Sequence, residues 1–160
     1  MLALPAMAQE PITPQTTMRE IRQNPAVQAS GLYTDIHTWE RDLAWFKNVH
    51  NNETLEEVVG SGSAASCAAG LNLLIRNYES GTQITYKLYS PEEIAAQPGR
   101  DHAELYYFPA DTPNARYAVV LSGNALYYSG ELRGGVSTAW ELHEQGYAVF
   151  VLRYRIGREA

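Results

Sequence analysis

Residues 117–156 read YAVVLSGNALYYSGELRGGVSTAWELHEQGYAVFVLRYRI, and this stretch decides the fold class. Residues 117–121 and 147–152 are short apolar runs containing Val119, Val120, Val149, Phe150 and Val151, residue types that suit a pleated surface. Neither run alternates, so both are expected to be buried on two faces, as in a parallel sheet covered by helices. Between them Val136, Ala139, Trp140 and His143 recur at helical spacing, and Gly146 stands where a left-handed residue commonly ends a helix. Strand, glycine turn, helix and strand make one βαβ unit. In an open α/β sheet the turn after Leu121 would lie at the carboxyl edge, where such sheets bind ligands.

The same turn carries a family resemblance. Ser122-Gly123-Asn124-Ala125-Leu126, then Gly134-Gly135, then Tyr147-Ala148-Val149-Phe150 and Tyr154-Arg155, align without a gap to a strand, a P-G-G-G-[FY] turn, an E-G pair, a helix and a strand ending Y-R. This order resembles the α/β-hydrolase superfamily, specifically its bacterial esterase and lipase-like branch. The likeness extends back through Cys67-Ala-Ala-Gly-Leu-Asn-Leu-Leu, Tyr86-Lys-Leu-Tyr-Ser-Pro-Glu-Glu-Ile and Leu105-Tyr-Tyr-Phe-Pro-Ala, covering most of the chain after about Thr54.

The resemblance implies the amino-terminal part of an α/β-hydrolase fold: a helical N-terminal segment, antiparallel first strands, then the parallel βαβ unit. It also implies a serine-type carboxylic-ester hydrolase acting on a small-molecule ester, without a cofactor. Backbone N–H groups of Gly123, Asn124 and Ala125 would then hold the oxyanion of the tetrahedral intermediate, each donor worth roughly 3 kcal/mol. The sequence departs from the pattern in three places: Asn124 and Ala125 stand for glycines, and Gly134 stands for the acid of the E-G pair. The plainer reading of the turn is a loop that opens a helix. No G-x-S-x-G nucleophile turn occurs in the 160 residues, and the family places that turn beyond Arg155. The nucleophile and triad are therefore expected outside this chain, which alone should be inactive. A non-catalytic binding relative of the same fold is the alternative.

A dinucleotide-binding module is a second alternative, because Gly60-Ser-Gly-Ser-Ala-Ala matches G-x-G-x-x-A, with Glu79 about twenty residues on. Such a fingerprint must follow a buried strand, whereas Thr54-Leu-Glu-Glu has the pattern of a capped helical turn. Residues 60–65 therefore read as the start of a helix carrying Cys67, Leu71, Leu74, Ile75 and Tyr78 on one side and ending at Gly81. Cys67 is then a core residue. Ile84, Tyr86 and Leu88 follow as an alternating strand with one wet face, and residues 103–108 form another strand.

The N-terminal portion divides by composition. Residues 1–8, MLALPAMA, read as the remnant of a secretory signal, with Ala6 and Ala8 at A-x-A positions, which would put the mature protein in the periplasm or outside the cell. An unstructured apolar start to a cytoplasmic chain is the other reading. Residues 9–16 are a proline- and threonine-rich linker or arm, 17–80 a helical segment, and 81–160 the strands and the βαβ unit. Thr17 with Glu20 and Ser90 with Glu93 have capping-box spacing, and Asn24-Pro25 starts a short helix that Gly31 can close. Trp39, Leu43, Trp45 and Phe46 make an aromatic amphipathic segment, a packing face or a cap over an active site.

Charge and composition exclude several classes. A net charge of −6 with no basic run gives no footprint for nucleic acid or an anionic membrane, and no apolar segment is long enough to span a bilayer. One cysteine cannot form an intrachain disulfide, and no Cys and His cluster has metal-ligand spacing. His37, His50, His102 and His143 are scattered, which favours structural or solvated roles. Residues 147–152 would form the last strand, with an unpaired apolar edge, and this predicts self-association through that edge.

Overall fold

A computed structural model describes residues 10–32, 34, 37–38, 50–123 and 128–156. It is an α/β protein in which helices cover one face of a mixed four-stranded sheet. Among the described residues the first elements are short capped helices. Thr17 and Glu20 close a capping box on α1 (Met18–Gln23), Asn24 caps α2 (Pro25–Ser30), and Gly31 ends it at φ 74°. A further box, Thr54 with Glu57, starts α3 (Leu55–Val59). Each box satisfies N–H groups that a helix start leaves without partners.

The 19-residue α4 (Ser61–Glu79) is the longest described element and turns Cys67, Leu71 and Leu74 into the core. Its Asn72 holds the preceding arm: the Ile12 N–H donates to Asn72 Oδ1 (2.9 Å) and Asn72 Nδ2 donates to the Ile12 carbonyl (2.8 Å). Ile12 is buried by this clamp. A two-residue strand β1 (His37–Thr38) pairs antiparallel with β5 (Tyr128–Ser129). The aromatic segment containing Trp39, Leu43, Trp45 and Phe46, and the apolar residues 1–8, lie outside the described residues.

The sheet contains β2 (Thr85–Lys87), β3 (Glu104–Phe108), β4 (Tyr117–Leu121) and β6 (Ala148–Arg153), in the spatial order β2-β3-β6-β4. Between β2 and β3 lie α5 (Pro91–Ala96), opened by the Ser90–Glu93 box, and a 3₁₀ turn (Pro98–His102). β3 runs antiparallel to both neighbours, and β4 and β6 are parallel. Only β3 therefore opposes the rest, whereas β2 shares the direction of β4 and β6. Between β4 and β6 the chain makes a π-helical turn (Glu131–Val136) and α6 (Ser137–Glu144), which ends at Gly146 with φ 85°. This is the expected βαβ unit.

Two expectations about the strands are corrected. The first concerns the edge: β6 inserts between β3 and β4 and is hydrogen-bonded on both sides, so it offers no free edge for self-association. Chain order put it last, but spatial order puts it inside; among the described residues the edge strand beyond the βαβ unit is β4. The second concerns burial on two faces. Val149, Val151, Tyr106 and Phe108 are buried beneath the helices, but alternate residues are not. Tyr117, Val119 and Leu121 are 72%, 49% and 64% exposed.

On that open face Tyr107 stacks on Phe150 with ring centroids 4.8 Å apart, and Tyr86 meets Tyr107 edge-on at 6.4 Å. Tyr86 of β2 thus belongs to the open face, and Leu88 is 46% exposed just beyond the strand, while Thr85 pairs with the buried Tyr106. Of the three apolar residues expected to alternate, Ile84, just before β2, is buried in the core, whereas Tyr86 and Leu88 turn to the open face.

Close approach of α4 to the π-helical turn depends on Gly70. A methyl there would meet Val136 Cγ1 at 2.8 Å and the Val136 carbonyl at 3.0 Å, whereas one on Gly62 would meet nothing within 4 Å. We expect Gly70→Ala to lower stability by about 1–3 kcal/mol through overpacking. Gly62→Ala should be neutral or stabilise by up to about 1 kcal/mol through lower chain entropy. Urea midpoints at equal m-value would show the contrast, and equal effects at both positions would contradict the packing.

Candidate functional site at the carboxyl end of β4

β4 ends at Leu121, and the chain leaves the sheet through Ser122 and Gly123. The π-helical turn folds back over this point because Gly135 allows it. A Cβ on Gly135 would lie 2.6 Å from Val151 Cγ1 and 3.3 Å from Ser122 Oγ, and one on Gly134 would lie 3.4 Å from Ser122 Cβ. Gly135 is required by its contact with Val151 of β6, whereas Gly134 packs on Ser122 at an ordinary contact distance. The turn is held by the Gly134 N–H donating to the Gly130 carbonyl (3.0 Å) and by the Ser137 hydroxyl donating to the Arg133 carbonyl.

Beside the turn opens a cavity of about 530 Å³, lined by Ser63, Leu121, Ser122, Gly123, Gly130, Arg133 and Gly134. Ser63 comes from the first turn of α4, so the helix start and the strand end face one space. Ser122 is 2% exposed, and its Oγ has no hydrogen-bond partner among the described residues. Of the turn expected to bind an oxyanion, Gly123 lies exposed at this cavity. Asn124 and Ala125 lie outside the described residues.

The sheet behind the cavity contains a buried charge cluster. Glu104 is 1% exposed and accepts from the Tyr106 hydroxyl (2.7 Å) and from Arg153 Nη1 (2.9 Å), while Lys87 Nζ lies 2.8 Å from its other oxygen. Arg153 Nε lies 3.9 Å from Glu131 Oε1 at the start of the π-helical turn. Two carboxylates thus face two cations, which is the condition for keeping charges in a dry interior. Burial, and then the Glu104 charge, push the Tyr106 phenol well above its ordinary range, so it acts as a neutral donor.

Of these residues, only Arg153 carried a signal in the sequence. It shares the strand parity of Val149 and Val151, so a buried cation there requires an acid nearby. Ser63 and Ser122 lie within motifs quoted from the sequence, but nothing there brings them together, and Glu131 and Arg133 have no spacing that would have drawn notice.

The remaining candidates fall elsewhere. Residues 60–65 open α4 directly after α3, so the G-x-G-x-x-A run lacks the preceding strand that a dinucleotide fingerprint needs. His143 is buried with Nε2 3.9 Å from Asp111 Oδ2, before β6 and near the loop that precedes β4, away from the cavity. Cys67 is buried, and its Sγ donates to the Leu132 carbonyl (3.3 Å). Among the described residues no group of three or more His, Cys, Asp or Glu could hold a metal ion, and no helix is long and apolar enough to cross a membrane. No protein-family model, curated protein or solved structure matches the chain.

Two outcomes follow from the buried groups. Arg153→Met leaves Glu104 and Glu131 without their buried cation and should cost about 3–5 kcal/mol, read from urea unfolding. A loss below about 1 kcal/mol would mean that the cluster is hydrated. Burial pushes the Cys67 thiol up to about 12. At pH 8 its thiolate fraction is therefore roughly a thousandfold below that of a free cysteine. A thiol-specific disulfide reagent should modify Cys67 only after unfolding, and rapid reaction of the native protein would contradict the assignment.

Proposed function

We propose that these residues form the amino-terminal part of the core of a serine-type carboxylic-ester hydrolase of the α/β-hydrolase kind. The observation that carries the reading is the β4–turn–α6–β6 crossover, with a cavity at the carboxyl end of β4 and an antiparallel strand, β3, contributed earlier in the chain. Open α/β sheets bind their ligands at such a strand end. The quoted resemblance assigns the turn at Gly123 to oxyanion binding.

In this reading the backbone at Gly123 offers N–H donors to the oxyanion that forms when a serine attacks the ester carbonyl. The attack itself requires a serine activated by a histidine. No such pair lines the cavity among the described residues: its hydroxyls belong to Ser63 and Ser122, and no histidine lines it. The protein's contribution here is positioning. Gly134 and Gly135 set the turn against Val151 and Ser122, and Glu131, which begins the turn, faces Arg153 of β6.

The experiment compares the 160-residue chain with the polypeptide extended by whatever coding sequence follows it in frame. We expect the short chain to hydrolyse p-nitrophenyl butyrate no faster than buffer. The extended protein should turn it over and lose that activity to a fluorophosphonate bound outside residues 1–160. Labelling of a serine within the 160 residues, or no turnover by the extended protein, would contradict the proposal.

A further inference from the structure

We propose that β4 is an interaction surface for a second copy of this chain, which pairs its own β4 antiparallel across a two-fold axis at Val119. The two edge strands of the sheet are built differently. β2 is three residues long and carries Lys87, a short and charged form that discourages strand pairing, whereas β4 is five residues, Tyr117-Ala-Val-Val-Leu121, with no charge, proline or glycine. The large apolar side chains exposed among the described residues are Leu88, Tyr117, Val119 and Leu121, and three of these four stand on β4. Arg116, just before the strand, has its guanidinium 5.0 Å over the Tyr147 ring. Nothing in β4 itself guards the edge.

The backbone register fixes what can pair. The Ala148 N–H donates to the Arg116 carbonyl (2.9 Å), and Ala118 and Val120 share that side of the strand, so their backbone groups serve β6. Successive residues of a strand direct their N–H and C=O groups to opposite sides, so those of Tyr117, Val119 and Leu121 point to the outer edge. The side chains of the same three residues are the exposed ones. Backbone edge and apolar row therefore coincide.

A second copy fits this row because the row is self-complementary. With Val119 opposite the partner's Val119, Tyr117 lies opposite the partner's Leu121, and the pairs exchange about six hydrogen bonds. Each pair is apolar, a kind that stabilises cross-strand neighbours. Arg116 then faces the partner's Ser122, so this register sets no like charges opposite one another although the chain carries a net charge of −6. A shift of two residues in either direction would lose one of these apolar pairs. One strand pair is a small contact, at the low end of interface sizes. The dimer should accordingly be reversible, with a Kd in roughly the micromolar-to-millimolar range.

Sedimentation equilibrium of the 160-residue protein from about 10 μM to about 1 mM should follow a reversible monomer–dimer equilibrium. Val119 is 49% exposed, so a single substitution there leaves the core untouched and should keep the Tm. Val119→Lys and Val119→Glu each set like charges against one another at the axis, and each should weaken association at least about tenfold. Mixed in equal amounts, the two variants should form a heterodimer, because lysine then faces glutamate. Val119→Thr, β-branched and uncharged, should dimerise as the parent does.

A monomer at every concentration would overturn the proposal. So would charged variants that dimerise as well as the parent, or that fail to associate when mixed. Dimerisation removed by Tyr107→Lys but kept by Val119→Lys would place the contact on the open face and overturn the edge. At ten times Kd the dimer slows the outer-edge amides of β4 by no more than about tenfold, so they still exchange faster than those directed at β6. None of these readouts involves ester turnover, so the interface and the hydrolase reading can fail separately.

Discussion

The pairing of β6 on both edges is the constraint on which the rest of the structure depends. One edge accepts β3 in antiparallel register and the other accepts β4 in parallel register, so this strand joins the two halves of the sheet. Its covered face presents Val149, Val151 and Arg153 in sequence. Each valine contributes roughly 1.5–3 kcal/mol through burial. The ion cluster around Arg153 is closer to neutral when weighed against an apolar replacement, but it specifies register. A slip of one residue would turn Arg153 to the open face and leave Glu104 and Glu131 buried without it.

The position of β6 also places the candidate site. Val151 touches the space where a side chain on Gly135 would be, so the π-helical turn lies directly on the strand and over Ser122. α4 then lies against the turn through Gly70. The cavity is what remains between the end of β4, the glycine turn and the start of α4. Its shape is therefore set by contacts among main chain and small residues.

The local structure was more legible in the sequence than the tertiary arrangement. Capping pairs such as Thr17 with Glu20, Thr54 with Glu57 and Ser90 with Glu93 have fixed spacing and form as read, because their hydrogen bonds are made within one turn. The βαβ unit was equally clear. Spatial strand order was not, since nothing in residues 148–153 states that they lie inside β4. An apolar run also does not reveal whether one face or two will be covered, and Tyr117, Val119 and Leu121 proved to face outward. The glycines at 134 and 135 were visible as a turn, but the reason for Gly135 is a contact with Val151 sixteen residues later. Ser63 and Ser122 meet at one cavity only through the packing of α4.

The central claim is that β6 is an interior strand joining β3 to β4 beneath one helical layer. Native-state hydrogen exchange, read residue by residue by NMR, tests it most directly. Amides throughout β6 should be among the slowest in the protein, because both edges are paired. In β4 slow and fast amides should alternate, with those directed at β6 protected and those on the outer edge exchanging rapidly. Uniformly fast exchange along β6, or uniform protection along β4, would contradict the sheet order and with it the placement of the site.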